Sequence, residues 1–127
     1  MNEGPTLIAG AWRSEYTYPS TGRGGTFTSQ HDVDLRWEGS RLAVRSLPSS
    51  PSLLTMELAI EGQVVTGTWR EATDPDGYYR GREFHGAVQF LLDPGGRQMA
   101  GKWVGYGTDE VNTGDWSLTL TGNAETP

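Results

Sequence analysis

The sequence predicts an all-β fold, an eight-stranded antiparallel up-and-down β-barrel, and three observations predict it. Helical periodicity is nearly absent, whereas the period-two alternation of half-buried strands recurs along the chain. Four of the five tryptophans follow a glycine by two positions, in Gly10-Ala11-Trp12, Gly67-Thr68-Trp69, Gly101-Lys102-Trp103 and Gly114-Asp115-Trp116. With 18 glycines in 127 residues, chance would supply fewer than one such pair. In a strand, residues i and i+2 share a face. Each motif therefore sets a flat indole beside bare backbone, which suits the concave side of a strongly curved sheet. The third observation is that turn-forming segments cut the chain into eight stretches joined alternately by short and long connections.

The strands are expected near 6–18, 25–38, 41–47, 52–60, 63–73, 78–92, 97–106 and 111–121. Tight turns are expected at Gly39-Ser40, Glu61-Gly62 and within Asp93-Pro94-Gly95-Gly96. The looser connections, around 19–24, 48–51, 74–77 and 107–110, alternate with them. In an up-and-down meander alternate connections lie at one end, so the long loops should gather around a mouth. A register check supports the assignment, because residues opposite each other across a hairpin share a face. Closing on Glu61-Gly62 sets Leu58 opposite Val65, Met56 opposite Gly67 and Leu54 opposite Trp69. Closing on Gly39-Ser40 sets Trp37 opposite Leu42 and Leu35 opposite Val44. Closing on Pro94-Gly95 sets Phe90 opposite Met99 and Gly86 opposite Trp103.

One inner face results. It carries Trp12, Ser14, Tyr16 and Tyr18 from the first strand, and Phe27, Ser29, His31, Val33, Leu35 and Trp37 from the second. The fifth adds Trp69, Glu71 and Thr73, and the sixth adds Tyr78, Arg80, Arg82, Phe84, Gly86, Val88 and Phe90. Met99, Trp103, Trp116, Leu118 and Leu120 complete it. The opposite faces, with Arg13, Glu15, Asp32, Asp34, Arg36, Lys102 and Asp115, read as a solvated surface. An eight-stranded barrel has an interior that side chains fill or that keeps room for one small ligand.

Composition narrows the class. Residues 1–127 read as a single barrel domain, long enough to bury a core. The hydrophobic fraction is 35% and there is no cysteine, which excludes a disulfide framework and fits a reducing, cytoplasmic setting. No basic region followed by an apolar run opens the chain, and no long apolar run occurs, so neither export nor membrane insertion is expected. A net charge of −6 has the wrong sign for gripping nucleic-acid backbones.

Gly10-Ala11-Trp12 at the start of the first strand resembles the Gly-x-Trp signature of the calycin barrels, the lipocalin and avidin group. Length and repeated Gly-x-Trp are nearer the avidin-like plan, and the biotin-binding residue pattern of avidins is not recognisable. Segments 67–92, GTWREATDPDGYYRGREFHGAVQFLL, and 101–118, GKWVGYGTDEVNTGDWSL, are similar to C-terminal sensor domains of actinobacterial Cro/repressor-type helix-turn-helix regulators. That resemblance covers most of the chain and implies a stand-alone bacterial version of the sensor part, without DNA-binding helices.

Inward polar groups near the mouth are the candidate functional residues, because burying a polar side chain costs several kcal/mol unless it is paired. Glu71, Arg80 and Arg82 read either as an internal ion pair with arginines reaching the rim, or as an arginine held for an anionic ligand group. His31 reads as a satisfied core histidine, or as a ligand contact or acid/base group. His85 points outward by parity. Two histidines on opposite faces and no cysteine argue against a transition-metal site, and Asp74-Pro75-Asp76-Gly77 reads as a turn. Tyr16, Tyr18, Phe27, Tyr78, Tyr79, Trp103 and Tyr106 gather toward the mouth, which favours a planar ligand over a fatty chain. No nucleophile elbow, phosphate loop, dinucleotide fingerprint or zinc signature is present.

The expectation is a barrel that binds a small organic molecule, planar or anionic, as sensor or carrier, through Tyr16, Ser29, His31, Glu71, Tyr78, Arg82 and Trp103. No cofactor is called for. A second expectation is a cofactor-free cyclase or isomerase acting on a polycyclic or polyketide-like substrate, with His31 or Glu71 as base and Arg82 stabilising charge. A third is an interaction module whose interior is simply core. A homodimer is left open.

Overall fold

A computed structural model describes residues 9–19, 24–48, 50, 52–77, 80–106 and 111–123, and for Tyr106 and Asn123 the backbone alone. It contains eight strands: β1 (Gly10–Pro19), β2 (Thr26–Glu38), β3 (Arg41–Ser46), β4 (Leu53–Glu61), β5 (Val64–Ala72), β6 (Glu83–Leu92), β7 (Gln98–Tyr106) and β8 (Val111–Asn123). Each pairs antiparallel with the next, and β8 closes on β1. The fold is a closed up-and-down β-barrel, compatible with a calycin-like architecture. Short hairpins join β2–β3, β4–β5 and β6–β7 at one end. The longer connections leave the other.

Burial alternates along the strands as the sequence pattern requires. Trp12, Val33, Leu35, Val44, Leu54 and Phe90 are fully enclosed, each apolar side chain stabilising the fold by about 2 kcal/mol relative to exposure. All four Gly-x-Trp indoles point inward, with exposures of 0% for Trp12, 7% for Trp69, 6% for Trp103 and 2% for Trp116. The outer ladders carry ion pairs, among them Arg13–Asp32 and Lys102–Asp115. Trp37 keeps the expected inner face, opposite Leu42. It sits beside the β2–β3 turn at the barrel rim and is 39% exposed.

Two registers differ from expectation by two residues, which preserves the faces and changes the partners. Closing β2 on β3 through Gly39-Ser40 is as expected, with Leu35 opposite Val44. The β4–β5 turn is Gly62-Gln63, not Glu61-Gly62, so Met56 faces Trp69 and Leu54 faces Glu71. In both hairpins glycine takes the first turn position, where Gly62 has φ of 62° and Gly39 of 66°, the mirror-image backbone that matches strand twist. The β6–β7 turn spans 94–97 because Asp93 organises it. Its carboxylate accepts from the Arg97 and Gln98 N–H groups, both at 3.0 Å, while its own N–H donates to Gln98 O. Trp103 consequently faces Val88, and Gly86 faces Gly105.

The Gly-x-Trp repeat has a cause in this register. Trp69 on β5 lies opposite Gly86 on β6, and Trp103 on β7 lies opposite Gly114 on β8. Each indole reaches across that glycine to the strand beyond it. Trp69 Nε1 donates to Val104 O of β7 at 3.3 Å and to Ala87 O at 3.2 Å; Trp103 Nε1 donates to Thr17 O of β1 at 2.9 Å. A Cβ on Gly86 would stand 1.9 Å from Val104 O, and one on Gly114 would stand 2.1 Å from Thr17 O and 2.7 Å from Trp103 Nε1. Glycine is required where three strands converge under an indole. Trp116 faces Gly101 in the same way, but its Nε1 donates to Ser14 Oγ at 2.7 Å.

Candidate functional site

Strand direction gathers the polar inner residues. β1 runs toward the long-loop end, carrying Ser14 and then Tyr16 inward; β2 returns from that end through Phe27, Ser29 and His31. β5 delivers Glu71 on its way to the same end, opposite Leu54 of β4, and Ser52 immediately precedes β4. β1 and β5 stand four strands apart in a ring of eight, on opposite walls. Their side chains nevertheless meet, because Tyr16 Oη donates to Glu71 Oε1 at 2.5 Å. His31 Nε2 lies 2.5 Å from Ser52 Oγ and 3.3 Å from Glu71 Oε2. A second layer holds Ser52 in place: Ser46 Oγ donates to Ser52 O at 3.3 Å and accepts from Leu54 N at 2.9 Å. A chain of polar contacts through Tyr16, Glu71, His31 and Ser52 thus crosses the barrel interior, hydrogen-bonded at its two ends and joined in the middle by the 3.3 Å approach of Glu71 to His31. His31, Glu71 and Ser52 are all buried.

Burial, followed by the adjacent Glu71 carboxylate, pushes the Tyr16 phenol well above its ordinary range, while hydrogen bonding with Ser29 works the other way. Tyr16 therefore stays a neutral donor to a carboxylate in any physiological medium. Its ring lies parallel to the His31 imidazole, with centroids 6.0 Å apart and an interplanar angle of 7°. Trp116, Tyr18 and Trp103 surround it at 4.8, 5.9 and 6.5 Å, and Tyr18 packs on Phe27 at 6.0 Å. Tyr18, Phe27, Ser29 and Phe84 are only half-buried. The polar chain is thus deeper than the half-exposed aromatic rim at the long-loop end.

Of the residues expected from sequence, Tyr16, Ser29, His31 and Glu71 come together, and Trp103 meets Tyr16 edge-on. Tyr78 lies outside the described residues. Arg80 and Arg82 do not face inward. β6 begins at Glu83, and the preceding backbone turns through positive φ at Arg80 (54°) and Gly81 (80°). The β5–β6 connection folds on Asp74, whose carbonyl accepts from Gly77 N and Gly81 N and whose carboxylate accepts from Asp76 N. Both arginine side chains are exposed, and their backbones serve the turn: the Arg82 carbonyl accepts from Thr73 N and Thr73 Oγ1, and Arg80 N donates to Gly77 O. The expected Glu71–arginine pairing is replaced by Tyr16 and His31. Asp74-Pro75-Asp76-Gly77 is the turn expected, and His85 is on the exposed face. Ser52 was missed, although extending the inward parity of Leu58, Met56 and Leu54 by one more step reaches it.

Among the described residues, no three His, Asp or Glu side chains group so as to hold a metal ion. Nor is any helix among them long and apolar enough to cross a membrane. What the arrangement offers chemically is a hydrogen-bonded carboxylate and imidazole, able to hold a donor or exchange a proton, beside stacked aromatic rings. No protein-family model and no curated protein matches the chain.

Proposed function

We propose that the protein is a small-molecule-binding barrel, a ligand sensor or carrier, whose site is the interior at the long-loop end. The observation that carries this reading is the Tyr16–Glu71–His31–Ser52 chain across the barrel. A core needs only apolar filler at these positions, and replacing buried ionic groups by hydrophobic ones is often neutral or stabilising by about 1–4 kcal/mol. A sequence that keeps a carboxylate, an imidazole and two hydroxyls there departs from pure packing where a binding site would. The half-buried Tyr18, Phe27 and Phe84 supply flat apolar surface above the chain, which suits a planar organic ligand. Arg80 and Arg82, the basis for expecting an anion, are exposed and offer it no inward support. The charged outer ladders and absence of cysteine suit a soluble cytoplasmic protein. Similarity of segments 67–92 and 101–118 to regulator sensor domains favours sensing over transport.

The contact between Glu71 and His31 favours a second reading, a cofactor-free isomerase or cyclase with that pair as proton carrier. Native mass spectrometry of the protein purified from its own host tests the first reading. A stoichiometric small-molecule adduct, released on denaturation, is the expected result; a bare polypeptide mass would overturn it. Once the ligand is named, His31→Ala and Glu71→Gln separate the two readings. They weaken retention in a binder and abolish conversion in an enzyme.

A further inference from the structure

The hydrogen-bonding state of His31 limits what the ligand can be. Nε2 faces the Glu71 carboxylate and the Ser52 hydroxyl. A carboxylate accepts only, so a neutral imidazole that turns Nε2 toward it donates from Nε2 and keeps Nδ1 as an acceptor. Nδ1 is buried and has no hydrogen-bond partner, and no other buried side-chain nitrogen or oxygen among the described residues shares that condition. An orphaned buried acceptor costs about 1–3 kcal/mol. It stands within a cluster whose other members are all paired.

We propose that His31 Nδ1 is the recognition point of the ligand, and that the ligand is a planar aromatic molecule presenting an O–H or N–H donor rather than an anionic group. The proposal rests on the small-molecule reading above and specifies its chemistry. A carboxylate or phosphate has no proton to give Nδ1 and would enter beside the Glu71 charge. A hydroxyl or ring N–H satisfies Nδ1 and leaves the His31–Glu71 contact intact. Aromatic character follows from the surroundings: His31 lies parallel to Tyr16, and the next inward residues on β2 toward the long-loop end are Ser29 and Phe27. Selectivity follows from the same orphan, because a site built to take a donor rejects the isostere that lacks one.

The test uses the full chain and three probes substituted at the same ring position, naphthol, methylnaphthalene and naphthoate, titrated calorimetrically at neutral pH. Naphthol should bind about tenfold or more tighter than the isosteric methylnaphthalene, with naphthoate weakest. His31→Phe keeps a ring against Tyr16 and should reduce the naphthol-to-methylnaphthalene ratio to about one. Should that variant fail to fold, the wild-type ratio decides. Equal affinity for naphthol and methylnaphthalene, or tightest binding of naphthoate, would overturn the donor assignment and leave a binding barrel standing. No binding of any probe up to about 0.1 mM would overturn the aromatic-donor proposal, while the binding reading stands or falls separately on the adduct in the native mass spectrum.

Discussion

Replacing Gly86 by alanine adds one methyl group where the barrel has no room for it. The new Cβ would stand 1.9 Å from Val104 O and 2.6 Å from Gly105 Cα, whereas real Cβ contacts essentially never fall below 3.0 Å. β6 and β7 must part locally by about 1 Å, and the obstacle is backbone, which cannot rotate aside as a side chain can. Overpacking of this kind costs about 1–3 kcal/mol. The shift also pulls Val104 O and Ala87 O from Trp69 Nε1, a further loss of about 1 kcal/mol. A total near 3 kcal/mol lowers Tm by about 12 °C in a domain of this size. Thermal unfolding followed by circular dichroism and tryptophan fluorescence reads it directly. Gly122→Ala is the internal control, because a Cβ there meets nothing within 4 Å. A Gly86→Ala protein as stable as Gly122→Ala would refute the account of Gly-x-Trp as indoles spanning cross-strand glycines.

The other predictions concern single charges and protons. Tyr16→Phe leaves Glu71 Oε1 without its donor and should cost about 2 kcal/mol in urea unfolding at neutral pH. Because the folded-state phenol is raised above its ordinary 10.0, the unfolded chain ionises first, so stability is intact below about pH 10 and falls as pH rises beyond it. That alkaline limb should be shallower in Tyr16→Phe. Asp93 behaves oppositely. The N–H groups of Gln98 and Arg97 hold its carboxyl below the ordinary 3.8, so its contribution is present above that pH and lost as pH falls through the folded value. Asp93→Ala should lower Tm at neutral pH and flatten the acid limb of a Tm–pH profile. Arg82→Ala, an exposed change, should alter stability by less than about 0.5 kcal/mol and leave ligand occupancy in native mass spectra unchanged.

Much of the fold was legible because strand periodicity and turn chemistry are local. The eight strands, the inward indoles and the Gly39-Ser40 register follow from residues near one another in sequence. The two misplaced registers trace to turn detail: Gly62 takes the first turn position rather than the second, and the Asp93 carboxylate enlarges its turn by satisfying two backbone N–H groups. Strand parity also identified Tyr16, Ser29, His31 and Glu71 as inward. It could not show that Tyr16 and Glu71 touch, since they are 55 residues apart and meet only when the barrel closes. The misassigned residues share a cause. Parity extended through Arg80 and Arg82 assumes a strand, and the positive φ of Arg80 and Gly81 ends it before Glu83.

On the proposed reading, the chain of polar contacts across the interior is the binding site, and not merely a tolerated polar core. Native mass spectrometry of a His31→Phe, Glu71→Gln double variant, expressed in the same host as the unsubstituted protein and compared with it, tests this most directly. The predicted result is a folded barrel that has lost the adduct carried by the parent. A variant that keeps the same adduct at the same occupancy would place the ligand elsewhere and contradict the account.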